Sequence, residues 1–225
     1  MTVHVLLNQK GGVGKSTLTV NLAAVTAQAT QRIGDENQSV LAVSVDPQGS
    51  ASWWSAQVED LPFMIAQEDD PAALRGLAQI PGVSHIYVDT PGWIGSGKND
   101  PQTQELLGTL MDSADLVVIP MTTEALTFDP TARTIEQIAK PSGKPYVVVI
   151  NAWDPRDGLR DLEQTQELAD SAGWPLAKTV IRRYKLHTRA AAEGRVVTSY
   201  GGNRIALEAK SDFQNLALEL ATGAW

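Results

Sequence analysis

Ten residues near the start of the chain hold three glycines, two lysines and two adjacent hydroxyls: Asn8-Gln9-Lys10-Gly11-Gly12-Val13-Gly14-Lys15-Ser16-Thr17. Gly11, Gly12 and Gly14 let a backbone turn sharply and aim successive N–H groups at the oxygens of a polyphosphate, a concavity that side chains would obstruct. Lys15 then sets a point charge on the outer phosphates, Ser16 offers its hydroxyl to Mg2+, and Thr17 opens a helix whose positive end faces the anion. The spacing matches G-x-x-x-x-G-K-[ST] only with the opening glycine relaxed. Lys10, one place after it, is a charge that the ordinary pattern does not require. A polyphosphate with Mg2+ is the ligand this set predicts.

This chemistry needs a strand before the loop and a helix after it. Val3, Val5, Leu6 and Leu7 supply the first, and Leu18, Val20, Leu22, Ala23 and Ala24 open the second. Two more apolar runs, Val40 to Val45 and Ser84 to Val88, have the length of buried parallel strands. They end in Asp46-Pro47-Gln48-Gly49-Ser50 and in Asp89-Thr90-Pro91-Gly92. Ligands of open α/β sheets sit at that end of the strands. A carboxylate placed as Asp89 is expected to hold Mg2+ directly or through water.

Lys10-Gly11-Gly12-Val13-Gly14-Lys15-Ser16, followed by Asp46-Pro47-Gln48 and Asp89, resembles the deviant Walker motif of the ParA/MinD family of ATPases. The resemblance implies that Lys10 reaches across a homodimer interface to the phosphates bound by the other subunit, so that dimerisation follows ATP binding. It implies that Asp46 orients the attacking water and joins the Mg2+ shell, with Ser44 standing where the family commonly has a first aspartate. Lys10, Lys15 and Asp46 would be catalytic, Gly11 to Thr17 would cradle the nucleotide, and Ser16, Asp46 and Asp89 would surround the metal. Asn151, at the end of the run Pro145 to Ile150, would contact the base, a helix cap or turn being the alternative role. Arg183 would add an adenine-side contact.

The segment Ala114 to Phe128 is similar to small plasmid or phage partition members, the ParF-like ones. A DNA-segregation ATPase is therefore expected, with weak, partner-stimulated hydrolysis and a dimer that binds DNA nonspecifically until a ParB-like, centromere-bound adaptor triggers release. A related ATPase that positions a protein cargo, such as a carboxysome or chemoreceptor cluster, shares every one of these motifs and stays open. So does a metabolic enzyme that uses ATP on a small substrate.

The remaining elements alternate. Helices are expected over 15–33, 71–79, 102–111, 124–140, 158–172 and 203–220, between strands at 40–45, 63–65, 84–88, 115–120, 145–150 and 178–181. That order predicts a three-layer α/β domain over residues 1–225, with a mostly parallel sheet and helices on both faces. Gly34 to Ser39 should break the first helix, and Gly92 to Asp100 reads as either a switch loop or a plain connector. Asp70 is placed to cap the helix that begins at Pro71.

There is no cysteine among the 225 residues, which excludes a disulfide framework and an iron–sulfur cluster. No apolar run reaches the length of about 18 residues needed to cross a membrane, and Asp212 and Glu219 interrupt the apolar positions at the end of the chain. A cytoplasmic, nucleoid-associated protein without a membrane partner is expected. Formal net charge is -8, yet residues 178–210 hold eight basic and two acidic side chains, a net of +6. Arg183, Lys185, Arg189, Arg204 and Lys210 are the candidates for a surface that tracks DNA phosphates.

Overall fold

Six apolar runs become strands: β1 (Thr2–Leu6), β2 (Ser39–Ser44), β3 (Met64–Gln67), β4 (Val83–Asp89), β5 (Leu116–Met121) and β6 (Tyr146–Ile150). The computed structural model describes residues 1–32, 39–92, 94 and 101–225. The strands form one sheet in the order β3-β2-β4-β1-β5-β6, and all the pairings are parallel. Parallel neighbours cannot be joined by hairpins, so helices carry the crossovers. The crossover helices are α1 (Lys15–Arg32), α2 (Ser50–Ala56), α3 (Pro71–Leu74), α4 (Pro101–Ser113), α5 (Phe128–Thr134) and α6 (Lys140–Ser142), and α7 (Arg160–Ser171), α8 (Lys185–Ala190) and α9 (Arg204–Thr222) follow the last strand. A π turn over Ile135–Ala139 joins α5 to α6 without a break.

The strand alternation sorts side chains into two cores. Val40, Ala42, Tyr87 and Val118 pack on one face with Leu18 and Leu22 of α1 and with Phe213, Leu216 and Leu220 of α9. Leu41, Val43, Ile86, Val88 and Val117 pack on the other with Leu106 and Leu110 of α4 and Ile135. Successive strand residues point to opposite faces, so both faces of a buried parallel sheet must be apolar, as these runs are. The expected three-layer α/β architecture is the one observed.

Three expectations change. The helix 71–79 stops after one turn at Leu74 and resumes as a 3-10 turn over Leu77–Gln79, with Asp70 capping it through the Ala72 N–H at 2.9 Å. The strand expected at 178–181 does not form a ladder. Only Leu176 and Arg182 bridge to Val148 and Trp153, because the N–H groups of Lys178 and Thr179 turn away to the buried carboxylate of Glu219, at 2.5 and 3.0 Å. Glu219 and Asp212 are thus interior anchors and not an acidic outer face. The break at Gly34–Ser39 and the loop at Gly92–Asp100 fall for the most part outside the described residues.

Candidate nucleotide-binding site

Leu6 pairs with Asp89, and Asp89 with Ser44, so β1, β2 and β4 end side by side. That register places the glycine loop, the turn carrying Asp46 and the end of β4 around one cavity of about 700 Å3. Gly11, Lys15, Ser16, Asp46, Thr90 and Gly92 line it.

The loop is braced on both sides. Asn8 is buried, and its amide donates to the Pro120 carbonyl at 2.8 Å and to Thr131 Oγ1 at 2.9 Å while its Oδ1 accepts the Lys10 N–H at 2.8 Å. Opposite, the amide of Asn151 donates to the Val13 carbonyl at 2.7 Å. Gly14 has φ +89, and a Cβ there would lie 2.2 Å from Asn151 Nδ2, so glycine is required both by conformation and by space. Gly92 approaches as closely from β4: a Cβ on it would meet the Gly11 backbone at 2.8 Å.

Lys15 is 6% exposed, and its Nζ donates to the carbonyls of Asn8 at 3.1 Å and Lys10 at 3.2 Å. Burial lowers its pKa, and the nearby carboxylates of Asp89 and Asp46 oppose that shift. Asp46 is half-buried, with Oδ1 accepting the Gln48 N–H at 3.0 Å.

Asp89 is fully buried, and neither carboxylate oxygen meets hydrogen-bond geometry with any described residue. Burial raises its pKa to about 7; the Ser16 hydroxyl and Lys15 act the other way, and Asp46 adds to the rise. A buried carboxylate with no well-formed hydrogen bond is costly to ionise. A divalent cation at this point would satisfy it, so the residues present fit Mg2+. No group of three or more His, Cys, Asp or Glu side chains able to hold a metal occurs among the described residues. This suits Mg2+, which keeps one or two carboxylates and takes its other ligands from phosphate and water.

The same burial makes stability depend on pH. The folded chain keeps a proton on Asp89 between the ordinary carboxylate range and about pH 7, where the unfolded chain has released it. Stability without nucleotide therefore falls as pH rises through that window. Asp89→Asn should raise the stability of the nucleotide-free protein at pH 8 by about 1–4 kcal/mol. It should also remove the extra stabilisation that Mg2+ adds to ATP. Thermal unfolding at pH 5 and pH 8, with ATP and with or without Mg2+, measures both effects.

A second cavity, of about 770 Å3, opens on the other side of the loop. Lys10, Gly12, Thr17, Asn151, Ala152 and Arg183 line it, together with the unpredicted Thr122–Glu124 turn after β5, Asp157 just before α7 and Asp161 in its first turn. Ala152 has φ +58, the one non-glycine residue with positive φ among those described. Such a conformation costs on the order of 1 kcal/mol and concentrates at functional sites.

A third groove, of about 690 Å3, backs onto the second, with Arg183 and Tyr184 in the wall between them. Arg183, Lys185, Arg189 and Arg204 all line it, together with Arg156. Lys210 lies on α9, outside that lining. Arg204 is tied to Glu208 at 2.7 Å, and Arg182 to Asp212 at 2.7 Å, so part of the basic charge is neutralised locally.

Asn8 and Gly92 escaped the sequence reading. Their signals were present, a polar residue closing an apolar run and a glycine directly after Asp-Thr-Pro, but neither names its contact.

The family model described as CbiA, the CobQ/CobB/MinD/ParA nucleotide binding domain, matches residues 4–197. The chain belongs to this family of nucleotide-binding ATPases. It is 36% identical over 219 residues to "Maintenance of carboxysome distribution protein A" of Gloeobacter kilaueensis, covering 97% of this chain and 93% of that protein. Its fold is similar to MinD of Pyrococcus horikoshii complexed with Mg-ADP, at TM-score 0.70 and 18% identity over 99% of this chain and 97% of the other. It is also similar to an ATP complex of a McdA variant from Cyanothece, at TM-score 0.69 and 13% identity over 98% and 96%. ATP and Mg2+, the cofactors expected from the resemblance, are thus found with solved structures of this fold, ATP in one and Mg2+ with ADP in the other.

The expected assignment to plasmid or phage DNA partition is corrected by these relatives. A 36% identical protein, matched over nearly its whole length, is named for carboxysome distribution, which is the alternative that the motifs had left open. The phosphate site could not have made the distinction, because both kinds of ATPase would use the same loop and carboxylates on the same nucleotide.

Proposed function

We propose that this protein is an ATP-driven positioning ATPase whose cargo is a protein assembly of the carboxysome kind. The observation that carries this reading is the full-length similarity to a carboxysome-distribution protein.

In this reading the bound metal supplies charge neutralisation at the phosphates, and the chain's own residues do the rest. The amides of Gly11 to Thr17 and the ammonium of Lys15 hold the phosphates. Ser16 and Asp89 hold the metal, and Asp46 orients water for in-line attack. Lys10 braces the phosphates of the partner subunit, and Asn151 with Arg183 flanks the base in the cavity beside the loop. Such catalysis is positioning plus electrostatics, without a covalent intermediate. Turnover by the isolated protein should be slow, so that a cargo-linked partner protein can set the timing of dimer opening.

The groove where Arg183, Lys185 and Arg189 meet supports nonspecific DNA as the track, and therefore a place on the nucleoid. No helix among the described residues is long and apolar enough to cross a membrane. Lys185→Glu combined with Arg189→Glu should weaken DNA binding by the ATP-bound form, and the salt slope should fall by about 0.9 for each phosphate no longer neutralised. Fluorescence anisotropy with random-sequence duplexes, from low to moderate salt, measures this; unchanged retention would remove DNA from the proposal.

The cargo is tested in the cell. Deleting the gene while imaging labelled carboxysomes or related protein compartments should turn spaced foci into clusters, and a Lys15→Ala copy should fail to restore spacing. Undisturbed spacing would overturn the reading.

A further inference from the structure

The turn that carries Asp46 is tied down by a residue twenty-one positions away. Gln67, the last residue of the edge strand β3, donates from Nε2 to the Asp46 carbonyl at 2.9 Å and accepts at Oε1 from the Ser52 hydroxyl at 2.8 Å. The two ends of its amide are not interchangeable. A carbonyl oxygen can only accept, so Nε2 must face Asp46, which leaves Oε1 for the hydroxyl.

The turn itself is tightly wound. The Asp46 carbonyl also accepts the Gly49 N–H at 2.7 Å, the Asp46 carboxylate accepts the Gln48 N–H at 3.0 Å, and the Gly49 carbonyl accepts the Trp53 N–H at 2.7 Å as α2 begins. All of these contacts are local to the turn and would move with it as a unit. The main chain already ties this unit to the sheet, where the Val45 N–H donates to the Asp89 carbonyl at 3.0 Å, and Gln67 adds a side-chain tie on the other side: β3 is held in register on β2, with Gln67 paired to Ser44 and the Glu68 N–H donating to the Ser44 carbonyl at 3.0 Å. Without the amide, the Asp46 carbonyl keeps the Gly49 N–H but loses its tie to β3, so the peptide after Asp46 can tilt and carry the carboxylate with it. Small errors of that kind cost rate more than affinity when a group acts by orienting a reactant.

We infer that Gln67 is a positioning residue for ATP hydrolysis, acting through Asp46 and not on the nucleotide. This rests on the ATPase reading given above.

The test is Gln67→Glu, which keeps the shape and the acceptor for Ser52 but removes the donor and sets an anion against the Asp46 carbonyl. Gln67 is exposed, so the variant should fold, and unfolding temperatures of variant and wild type should agree. Turnover number with Mg-ATP should fall about tenfold. Affinity for a fluorescent ATP analogue should stay within about twofold, since the loop amides and Lys15 are untouched. Gln67→Met supplies a second variant of similar length with neither donor nor charge, and it should show the same loss of turnover with affinity retained.

A wild-type protein that hydrolyses ATP and a Gln67→Glu variant with equal turnover would overturn the positioning role alone. Equal loss of affinity and turnover, or a loss that tracks unfolding, would make Gln67 merely structural. A wild-type protein that neither binds nor hydrolyses Mg-ATP would overturn this inference and the ATPase reading together.

Discussion

Lys15→Ala should leave a folded chain that binds Mg-ATP about a hundredfold more weakly or worse. In the nucleotide-free protein the ammonium is buried and rests on two carbonyls of its own loop, Asn8 and Lys10. Those are neutral acceptors, and an anionic phosphate replaces them with charge-assisted bonds worth about 1.5–3 kcal/mol each. Removing two such bonds costs about 3 kcal/mol or more, which is the hundredfold weakening. The substitution should cost little stability, because it removes a desolvated cation along with its two hydrogen bonds. It should also push the Asp89 carboxyl higher, since Lys15 is one of the groups now holding it down. Equilibrium binding of a fluorescent ATP analogue checks the first effect and the pH dependence of unfolding the second. Unchanged affinity would remove the phosphate-site assignment.

The second large effect is expected at Lys10, and it should look different. The backbone of Lys10 serves its own loop: its N–H donates to Asn8 Oδ1 and its carbonyl accepts from Lys15. Its side chain makes neither contact. Lys10→Ala therefore removes a charge at the mouth of the base-side cavity while leaving the loop's bracing in place. Binding of ATP by a single chain should stay within about threefold, because the loop amides and Lys15 keep the nucleotide. ATP-driven dimerisation should be lost, and partner-stimulated turnover should drop by about a hundredfold or more, the scale of a cation supplied in trans to a phosphoryl-transfer site. Light scattering in ADP and in ATP, followed by phosphate release with DNA and partner present, separates the two variants. A fully active Lys10→Ala protein would reduce that lysine to a solvated surface charge.

Much of the architecture was legible because its determinants are local. A glycine cannot be replaced where φ is +89 without strain, and apolar runs of five or six residues between turns have few fates other than a buried parallel strand. The strand at 178–181 misled for the opposite reason. Thr179-Val180-Ile181 has strand-forming side chains, but whether a ladder forms depends on where its N–H groups find acceptors, and Glu219, some forty residues on, captures two of them. The charge count was partial in the same way. Eight basic residues between 178 and 210 add up along the chain, but Arg182 and Arg204 are spent on Asp212 and Glu208 of α9, while Arg183, Lys185 and Arg189 meet at one groove.

The residue types of the phosphate loop, the two strand-end aspartates and the βα alternation are enough to settle a nucleotide-binding α/β fold, since each acts through its own backbone or its neighbours. Tertiary structure decided the rest: that Asp46 and Asp89 flank the loop, that Asn8, Asn151 and Gly92 brace it, and that the Gln67 amide reaches the Asp46 carbonyl. These depend on the sheet order β3-β2-β4-β1-β5-β6 and on Leu6, Ser44 and Asp89 lying in one register. Contacts between residues dozens of positions apart are set by how strands are shuffled into a sheet, and no short stretch of sequence carries that order.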